Sequence, residues 1–381
     1  MNWWELPGPK AFVNAVEEDV REGKSVFLQL PDHSPRRLSA SIRQALGEDL
    51  RWFSTSVVQP ISPINFLYDL LVPDSDSATL RSPSSLVNES AFQRHLIWIE
   101  GLTAATWPPW SQFFVEYERA SRSVHPARKT QFLVPLLNSS GRLKVPEAIG
   151  ISQHIWDGWL RYGDMLLYSC SCVGERTSPL ETELTIALVA ELARWDPDLC
   201  EWLAHFPLEQ LIRPGDLLPE FAKARGWNSA IEKLKGDAWP VGGCHTVKGE
   251  SVSHACLSSL PGLERLVWKA EIAVLMPYIE EQRQSLLKRY RKHLRVPFKT
   301  TGGAQIDNVY DLEIGHIEWQ LARSMGITRD EIDGISDLKN ARNSLSHLEP
   351  VETPVLSSLL ARFEKYVYLT QVRSRVHPTL S

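Results

Sequence analysis

Cysteine is scarce in this chain, and the few cysteines do not have the spacing of a metal site. The 381 residues contain five cysteines, an odd number. The one close pair, Cys170-x-Cys172, is too tight for an ordinary structural zinc pair. These features argue against a disulfide framework and a structural zinc site. Unpaired thiols are typical of a reducing compartment, so we expect a cytoplasmic protein with neither a metal nor another cofactor.

Long apolar runs and an overall basic charge are also lacking. No uninterrupted apolar run approaches the ~20 residues that a membrane-spanning helix needs. The first residues, MNWWELPGPK, lack the basic and apolar regions of a secretory signal. The formal net charge of -5 excludes a generally basic protein that coats nucleic acid, although it leaves room for a local basic site. We therefore expect no membrane partner.

Short apolar strands alternate with helices in the first part of the chain. Four segments have the composition of buried strands, namely residues 25–30 (SVFLQL), 52–58, 95–100 (HLIWIE) and 131–136. Helical periodicity lies between them, for example at residues 11–21. Such alternation indicates a mainly parallel sheet that is covered on both faces. We predict an α/β domain over residues 1–152.

The strand pattern fades after this domain. Residues 153–235 are predicted to form a helical region. Residues 236–256 are rich in glycine and small polar residues, which favours a linker. From residue 257 to residue 381 the pattern is helical throughout. Four helices with short connections in this part favour an up-and-down bundle.

The segment LKNARNSLSHL, residues 338–348, carries the most specific pattern in the chain. Arg342, Asn343 and His347 lie at the end of a predicted amphipathic helix. A histidine suits proton transfer near neutral pH, and a guanidinium suits contact with phosphate oxygens and stabilises charge in a transition state. Five residues turn a helix by about 140°, so one helix does not bring the two groups to one face. Two copies that face each other would complete such a site.

A structural role is the alternative interpretation of the same residues. His347 near a helix C-terminus interacts favourably with the helix dipole, and Arg342 then pairs at the surface with Asp337 or Glu349. Two further residues, Glu313 and His316, share one face of a predicted helix. They either assist an RNA site or make hydrogen bonds in the core or in an interface.

The pattern resembles the R-(N/H/D)-x3-H motif of the HEPN superfamily, whose active members are metal-independent RNA endonucleases. The resemblance covers the C-terminal third of the chain, where Leu338, Leu345 and Leu348 flank the motif. It implies a homodimer whose two motifs converge on one cleft, RNA as substrate, and the three motif residues as catalytic residues. It also implies a setting such as antiphage defence or toxin control, with protein partners of a defence complex. The alternative is a non-catalytic assembly factor whose inert bundle dimerises or binds nucleic acid or protein.

Basic residues crowd the end of the long helix that precedes the motif. In a chain that is acidic overall, such a cluster is a candidate phosphate-binding surface. The predicted RNA-binding residues are Lys288, Arg289, Arg291, Lys292 and Arg295. We expect this surface to hold RNA beside the motif. The alternative is a solvated helix end whose cations complement the helix dipole or pair with earlier glutamates.

The first domain also resembles a degenerate ATPase domain of the AAA or STAND type. Gly23-Lys24-Ser25 is not a phosphate-binding loop, because it follows a helix and precedes a strand. The loop in the correct position, residues 30–37 (LPDHSPRR), has neither glycine nor lysine, although Arg36 and Arg37 could touch phosphate. Glu100 ends a strand at the position where the resemblance implies a catalytic acid. The alternative is that Glu100 is an ordinary carboxylate at the end of a strand. We expect a P-loop-NTPase-like scaffold for protein docking, without ATP hydrolysis.

Overall fold

Two compact units make up the chain in the computed structural model. The structure describes residues 1–48, 50–72, 81–137, 143–227, 238–300 and 302–362. Unit 1 consists of Met1–Asp164 and Trp227–His254, and unit 2 consists of Met165–Gly226 and Ala255–Ser381. Each unit is therefore built from two separate stretches of chain. No helix in the described ranges is both long and apolar enough to cross a membrane.

A five-stranded parallel sheet forms the centre of unit 1. Its strands are β1 (Ser25–Leu30), β2 (Arg51–Ser56), β3 (His95–Glu100), β4 (Gln131–Leu137) and β5 (Ile151–Ile155). The order across the sheet is β2-β3-β4-β1-β5, and every pair is parallel. In the register, Val26 of β1 lies opposite Leu133 of β4 and Ser152 of β5. The predicted α/β architecture is confirmed.

Burial along the strands follows this order. The three inner strands β1, β3 and β4 are buried along nearly their whole length, whereas the edge strands β2 and β5 alternate between exposed and half-buried residues. Inner strands of a parallel sheet need apolar side chains on both faces, which explains sequences such as HLIWIE. The helices of unit 1 are α1 (Pro7–Arg21), α2 (Leu38–Leu46), α3 (Pro63–Leu71), α4 (Pro83–Asn88) and α5 (Trp107–Ser121).

Aromatic rings fill the space between the sheet and α5. Trp110 and Phe114 of α5 are almost fully buried, and their ring centroids lie 5.7 Å apart. Phe132 of β4 lies 5.5 Å from Phe114, and Phe27 of β1 lies 5.0 Å from it. Large buried rings contribute most of the apolar area that stabilises such a core. This core thus accounts for some of the 14 tryptophans of the chain.

The segment predicted as a linker is instead folded into unit 1. Strands β6 (Cys244–Val247) and β7 (Glu250–Ser253) form an antiparallel hairpin. The Asp157 carboxylate anchors it, because it accepts hydrogen bonds from the Thr246 amide at 2.6 Å and from the Thr246 hydroxyl at 2.7 Å. Strands of only four residues are too short to show a distinctive periodicity, so glycine and serine dominated the pattern of this segment. The predicted helical region 153–235 is likewise divided between the two units.

The described residues of unit 2 form helices and one small hairpin. Its helices are α6 (Tyr162–Cys172), which begins in unit 1, α7 (Pro179–Ala193), α8 (Pro197–Leu203), α9 (Leu208–Leu211), α10 (Pro214–Ala224), α11 (Leu260–Arg289), α12 (Ile314–Leu321) and α13 (Arg329–Ser346). The long helix α11 packs against α7 and also against α13. No disulfide joins any of the five cysteines, all of which lie in the described ranges.

The connection between α11 and α12 is longer than predicted. It contains a hairpin of two-residue strands, β8 (Phe298–Lys299) and β9 (Gln305–Ile306). Such short strands leave no periodic pattern in a sequence. The last helix of the predicted bundle is observed over residues 353–362. The remainder of that predicted helix lies outside the described residues.

Candidate functional site

The motif residues lie at the C-terminal end of α13. Thr328 and Glu331 form a capping box at the other end, which fixes where the helix begins. Helix α11 holds the C-terminal end, because the Trp268 indole donates a hydrogen bond of 2.8 Å to the Leu345 carbonyl. His347 is the first residue beyond the helix, in the C-cap position. The last turn of α13 is therefore fixed against α11.

The three predicted catalytic side chains differ in exposure and in partners. Arg342 is 37% exposed and forms an ion pair of 2.8 Å with Glu313. Asn343 and His347 are exposed. Within the described ranges, no hydrogen bond or ion pair involves the His347 ring or joins it to Arg342. In a single chain the Arg342 and His347 side chains thus lie on neighbouring surfaces and do not contact each other through a hydrogen bond or an ion pair.

The partner of Arg342 is not one of the two carboxylates that the sequence suggested. Asp337 instead accepts a hydrogen bond of 2.6 Å from Ser358. Glu313 reaches Arg342 from the N-cap of α12, where its side chain also takes part in a capping box with His316. The amide of Glu313 donates to Nδ1 of His316 at 3.1 Å. Glu313 therefore contacts the motif, whereas a role for Glu313 and His316 in an RNA site stays a prediction.

A second arginine fixes the segment that carries Glu313. Arg283 of α11 donates hydrogen bonds of 2.8 and 2.9 Å to the carbonyls of Tyr310 and Leu312. It also binds the Glu280 carboxylate at 2.8 and 2.6 Å. These hydrogen bonds lower the pKa of Glu280 to about 2, and the charge of Arg342 acts in the same direction. Three elements of unit 2 therefore hold the Arg342–Glu313 pair in place.

A buried carboxyl group that the sequence did not single out lies under the motif. Glu271 of α11 is fully buried, and its Oε2 accepts a hydrogen bond of 2.7 Å from the amide of Val351, four residues after His347. Within the described part of the chain its Oε1 has no hydrogen-bond partner. Burial raises the pKa of Glu271 to about 7. The sequence contained a signal for this burial, because Glu271 stands in the mainly apolar run VWKAEIAVL.

The five predicted RNA-binding cations are all exposed at the end of α11 and in the turn after it. Arg289 pairs with Glu331 at 2.6 Å, and the Tyr290 hydroxyl donates to the same carboxylate oxygen at 2.5 Å. Lys288, Arg291, Lys292 and Arg295 make no ion pair with any described carboxylate. The cluster has the exposure that phosphate contacts require.

The basic cluster does not lie beside His347, contrary to the expectation. Arg289 meets the start of α13 at Glu331, whereas Trp268 meets its end at Leu345, so α11 and α13 run antiparallel. The residues from Glu331 to His347 span ~24 Å at the rise of an α-helix. The sequence placed the basic cluster and the motif in the same helical bundle. It did not specify at which end of the bundle each of them would lie.

The three weak nucleotide-binding candidates come to one edge of the sheet. Arg36 and Arg37 are exposed in the loop after β1, and Glu100 is exposed at the end of β3. Strand β4 lies between these two strands, so the groups are separated by ~10 Å at the usual strand spacing. Glu100 accepts a hydrogen bond from the Trp98 indole.

Trp4 and the residues just before β6 pack against the loop after β1. The Asp32 amide donates to the Pro240 carbonyl at 2.8 Å, and the Trp4 indole donates to the Arg36 carbonyl at 2.7 Å. Gly242 approaches so closely that a Cβ there would lie 2.9 Å from the Asp32 carbonyl oxygen. In a P-loop the backbone amides of this loop face the phosphate. Here the Asp32 amide is already hydrogen-bonded to the Pro240 carbonyl.

In the described ranges, no three histidine, cysteine, aspartate or glutamate side chains are grouped in a way that could hold a metal ion. The chain matches no protein-family model, and no curated protein shows significant similarity to it.

Proposed function

We propose that this chain is a HEPN-type, metal-independent endoribonuclease that acts as a homodimer. The observation that carries the proposal is the geometry of the end of α13. Arg342 is held half-exposed by Glu313, and Asn343 and His347 are exposed within the next five residues. These are the groups that phosphodiester cleavage through the 2′-hydroxyl needs at a surface that RNA can reach.

Each group has a distinct task in the proposed reaction. His347 transfers a proton, either from the attacking 2′-hydroxyl or to the leaving 5′-oxygen. The Arg342 guanidinium stabilises the negative charge that develops on the phosphorane oxygens. Because one helix separates the two by about 140°, we propose that His347 of one subunit works with Arg342 of the other. The exposed Asn343 positions the substrate by hydrogen bonds.

We propose that unit 1 is a degenerate ATPase-like module that docks other proteins and regulates the nuclease. The parallel sheet with the order β2-β3-β4-β1-β5, in which β4 lies between the strands that carry the loop and the acid, supports this proposal. The use of the Asp32 amide by Pro240 supports a module without a bound nucleotide. A cytoplasmic effector or toxin of a bacterial defence system is the setting that fits both units.

RNA cleavage tests the proposal directly. The full chain would be incubated with structured and single-stranded RNA in excess chelator, beside Arg342→Ala and His347→Ala. We expect cleavage by the unmodified protein and at least about a 100-fold loss in each variant, because each removes a group that acts in the transition state. The matched control is Arg329→Ala, which removes an 87% exposed arginine from the same helix. Equal cleavage by all four proteins would reject the assignment.

The second candidate is a non-catalytic assembly protein that dimerises through the same bundle. One observation favours it, since the ion pair with Glu313 partly neutralises Arg342 before any phosphate arrives. Solution mass and cleavage together separate the candidates. A dimer that leaves RNA intact and binds it equally with and without Arg342 supports assembly, whereas chelator-resistant cleavage supports the enzyme.

A further inference from the structure

Helix α12 carries an exposed tryptophan that contacts other rings and a guanidinium. Trp319 is 51% exposed. The Arg323 guanidinium lies over its ring, 4.0 Å from the centroid. The Phe298 ring lies 5.5 Å from Trp319 and 5.1 Å from His316, one turn earlier on the helix. An exposed tryptophan with a stacked arginine offers π-faces and charge to a planar ligand.

Positive charge surrounds these rings. Arg295, Lys299 and Arg323 are exposed, and none of them pairs with a carboxylate in the described part of unit 2. The amide of Arg295 donates to the Gln320 side chain at 2.7 Å, which fixes the basic turn against α12. The cations and the rings therefore belong to one surface rather than to two separate ones.

The same helix leads from this basic turn to the motif. Gln320, near its C-terminal end, contacts Arg295, whereas Glu313 at its N-cap contacts Arg342. These two ends lie ~10 Å apart along the helix axis. A ligand that follows α12 would thus pass from the basic turn over the rings to the guanidinium of the motif.

We propose that these residues form a strip that binds single-stranded RNA and guides it to Arg342. The strip consists of Arg295, Phe298, Lys299, His316, Trp319 and Arg323. Phosphates contact the cations, and at least one unstacked base packs on the Trp319–Arg323 pair. Paired RNA keeps its bases stacked inside the helix, so this chemistry selects single strands. The inference rests on the proposed function, because it supplies the substrate path to the same site.

Binding of a fluorescent single-stranded RNA of about 12 nucleotides by the full chain tests the strip. Binding is measured with each substitution combined with His347→Ala, so that cleavage does not change the probe, and cleavage is measured with the same substitutions in protein that keeps His347. We expect Trp319→Ala to weaken binding by about 10-fold or more, as loss of one base-stacking platform does. We expect Arg323→Gln to reduce the slope of log affinity against log salt by about 0.7.

Two control variants match these changes. Tyr162→Ala removes a ring that is 41% exposed in unit 1, and Arg128→Gln removes an exposed arginine of the same unit. Both are expected to bind RNA like the parent protein. A double-stranded probe of equal length is expected to bind at least about 10-fold more weakly than the single strand.

The outcomes separate this inference from the proposed nuclease. RNA binding that depends on Trp319, in a protein that never cleaves RNA, would keep the strip and reject the enzyme. Cleavage and binding that are unchanged by Trp319→Ala and Arg323→Gln would overturn the strip and keep the enzyme. A lower solution mass of Trp319→Ala with unchanged RNA affinity would also overturn it, because the surface would then be a subunit contact.

Discussion

Glu313 and Arg342 form an ion pair of 2.8 Å that joins the N-cap of α12 to the penultimate turn of α13. Both side chains are partly exposed, so the pair contributes only ~0–1 kcal/mol to stability. Its importance lies in geometry, because Arg283 and the α12 capping box fix the position of Glu313. The guanidinium is therefore directed by a carboxylate that is itself held in place.

Replacing this carboxylate tests whether it orients Arg342 for cleavage. We expect Glu313→Gln to lower kcat for RNA about 10- to 100-fold, because a misplaced catalytic group costs rate even when binding is kept. KM is expected to stay within about 3-fold, since the guanidinium itself remains. Steady-state cleavage kinetics give both values. The matched control is Glu318→Gln, which breaks the neighbouring 2.6 Å pair between Glu318 and Lys339 and should leave kcat unchanged. Faster cleavage by Glu313→Gln would mean that the pair restrains Arg342 instead.

The separation of the basic cluster from His347 makes a second prediction. Lys288→Gln, Arg291→Gln and Lys292→Gln are each expected to reduce the salt slope of RNA binding by about 0.7, as loss of one phosphate contact on a single strand does. The rate at which saturating enzyme cleaves bound RNA should not change, because the cluster lies ~24 Å from His347. Lys10→Gln, at an exposed lysine of unit 1, is the control. A loss of kcat without a change in slope would show that these residues act in catalysis rather than in binding.

Glu271 makes unit 2 sensitive to pH in a defined direction. Burial raises its pKa to about 7, so the folded protein binds a proton that the unfolded chain releases near its ordinary value. The stabilising contribution is fully present below the unfolded pKa and is lost as pH rises through about 7. We expect Glu271→Gln to match the parent at about pH 4, below the unfolded pKa, and to be more stable at about pH 8, by ~2–3 kcal/mol.

Urea unfolding followed by tryptophan fluorescence and by far-UV circular dichroism measures this difference. The glutamine keeps an oxygen that can accept the Val351 amide hydrogen bond, so the substitution isolates the charge. Glu264→Gln is the control, because Glu264 is exposed on the same helix and should show no such pH dependence. If the two variants respond alike, Glu271 is already ionised without penalty in the folded protein.

The parts of the fold that were predictable are those whose own residues carry the pattern. Strands β1, β3 and β4 are buried on both faces and therefore appear as continuous apolar runs. The capping box of α13 is equally local, because Thr328 and Glu331 lie three residues apart in the sequence. The hairpin of residues 244–253 was missed because tertiary contacts such as Thr246 with Asp157 stabilise it, and these do not appear in a local pattern.

The candidate site was predictable in composition but not in arrangement. The motif residues and the basic cluster were identified from their types, whereas their placement at opposite ends of α13 depends on the antiparallel packing of α11. The partner of Arg342 lies 29 positions away in the sequence, in another helix. Trp319 has an ordinary residue type for a helical bundle, and only its exposure distinguishes it.

The close approach of Gly242 to the loop after β1 gives the last prediction. Gly242 has φ of +74°, and an added Cβ would meet the Asp32 carbonyl oxygen at 2.9 Å. We expect Gly242→Ala to destabilise unit 1 by ~2–5 kcal/mol, the sum of left-handed strain and overpacking. Gly249→Ala, at φ of +83° with open space around it, should cost only ~1–2 kcal/mol, which is the strain alone. Urea unfolding measures both. Equal losses would show that the segment 238–243 does not press on this loop, and the loop after β1 would then be open to a phosphate ligand.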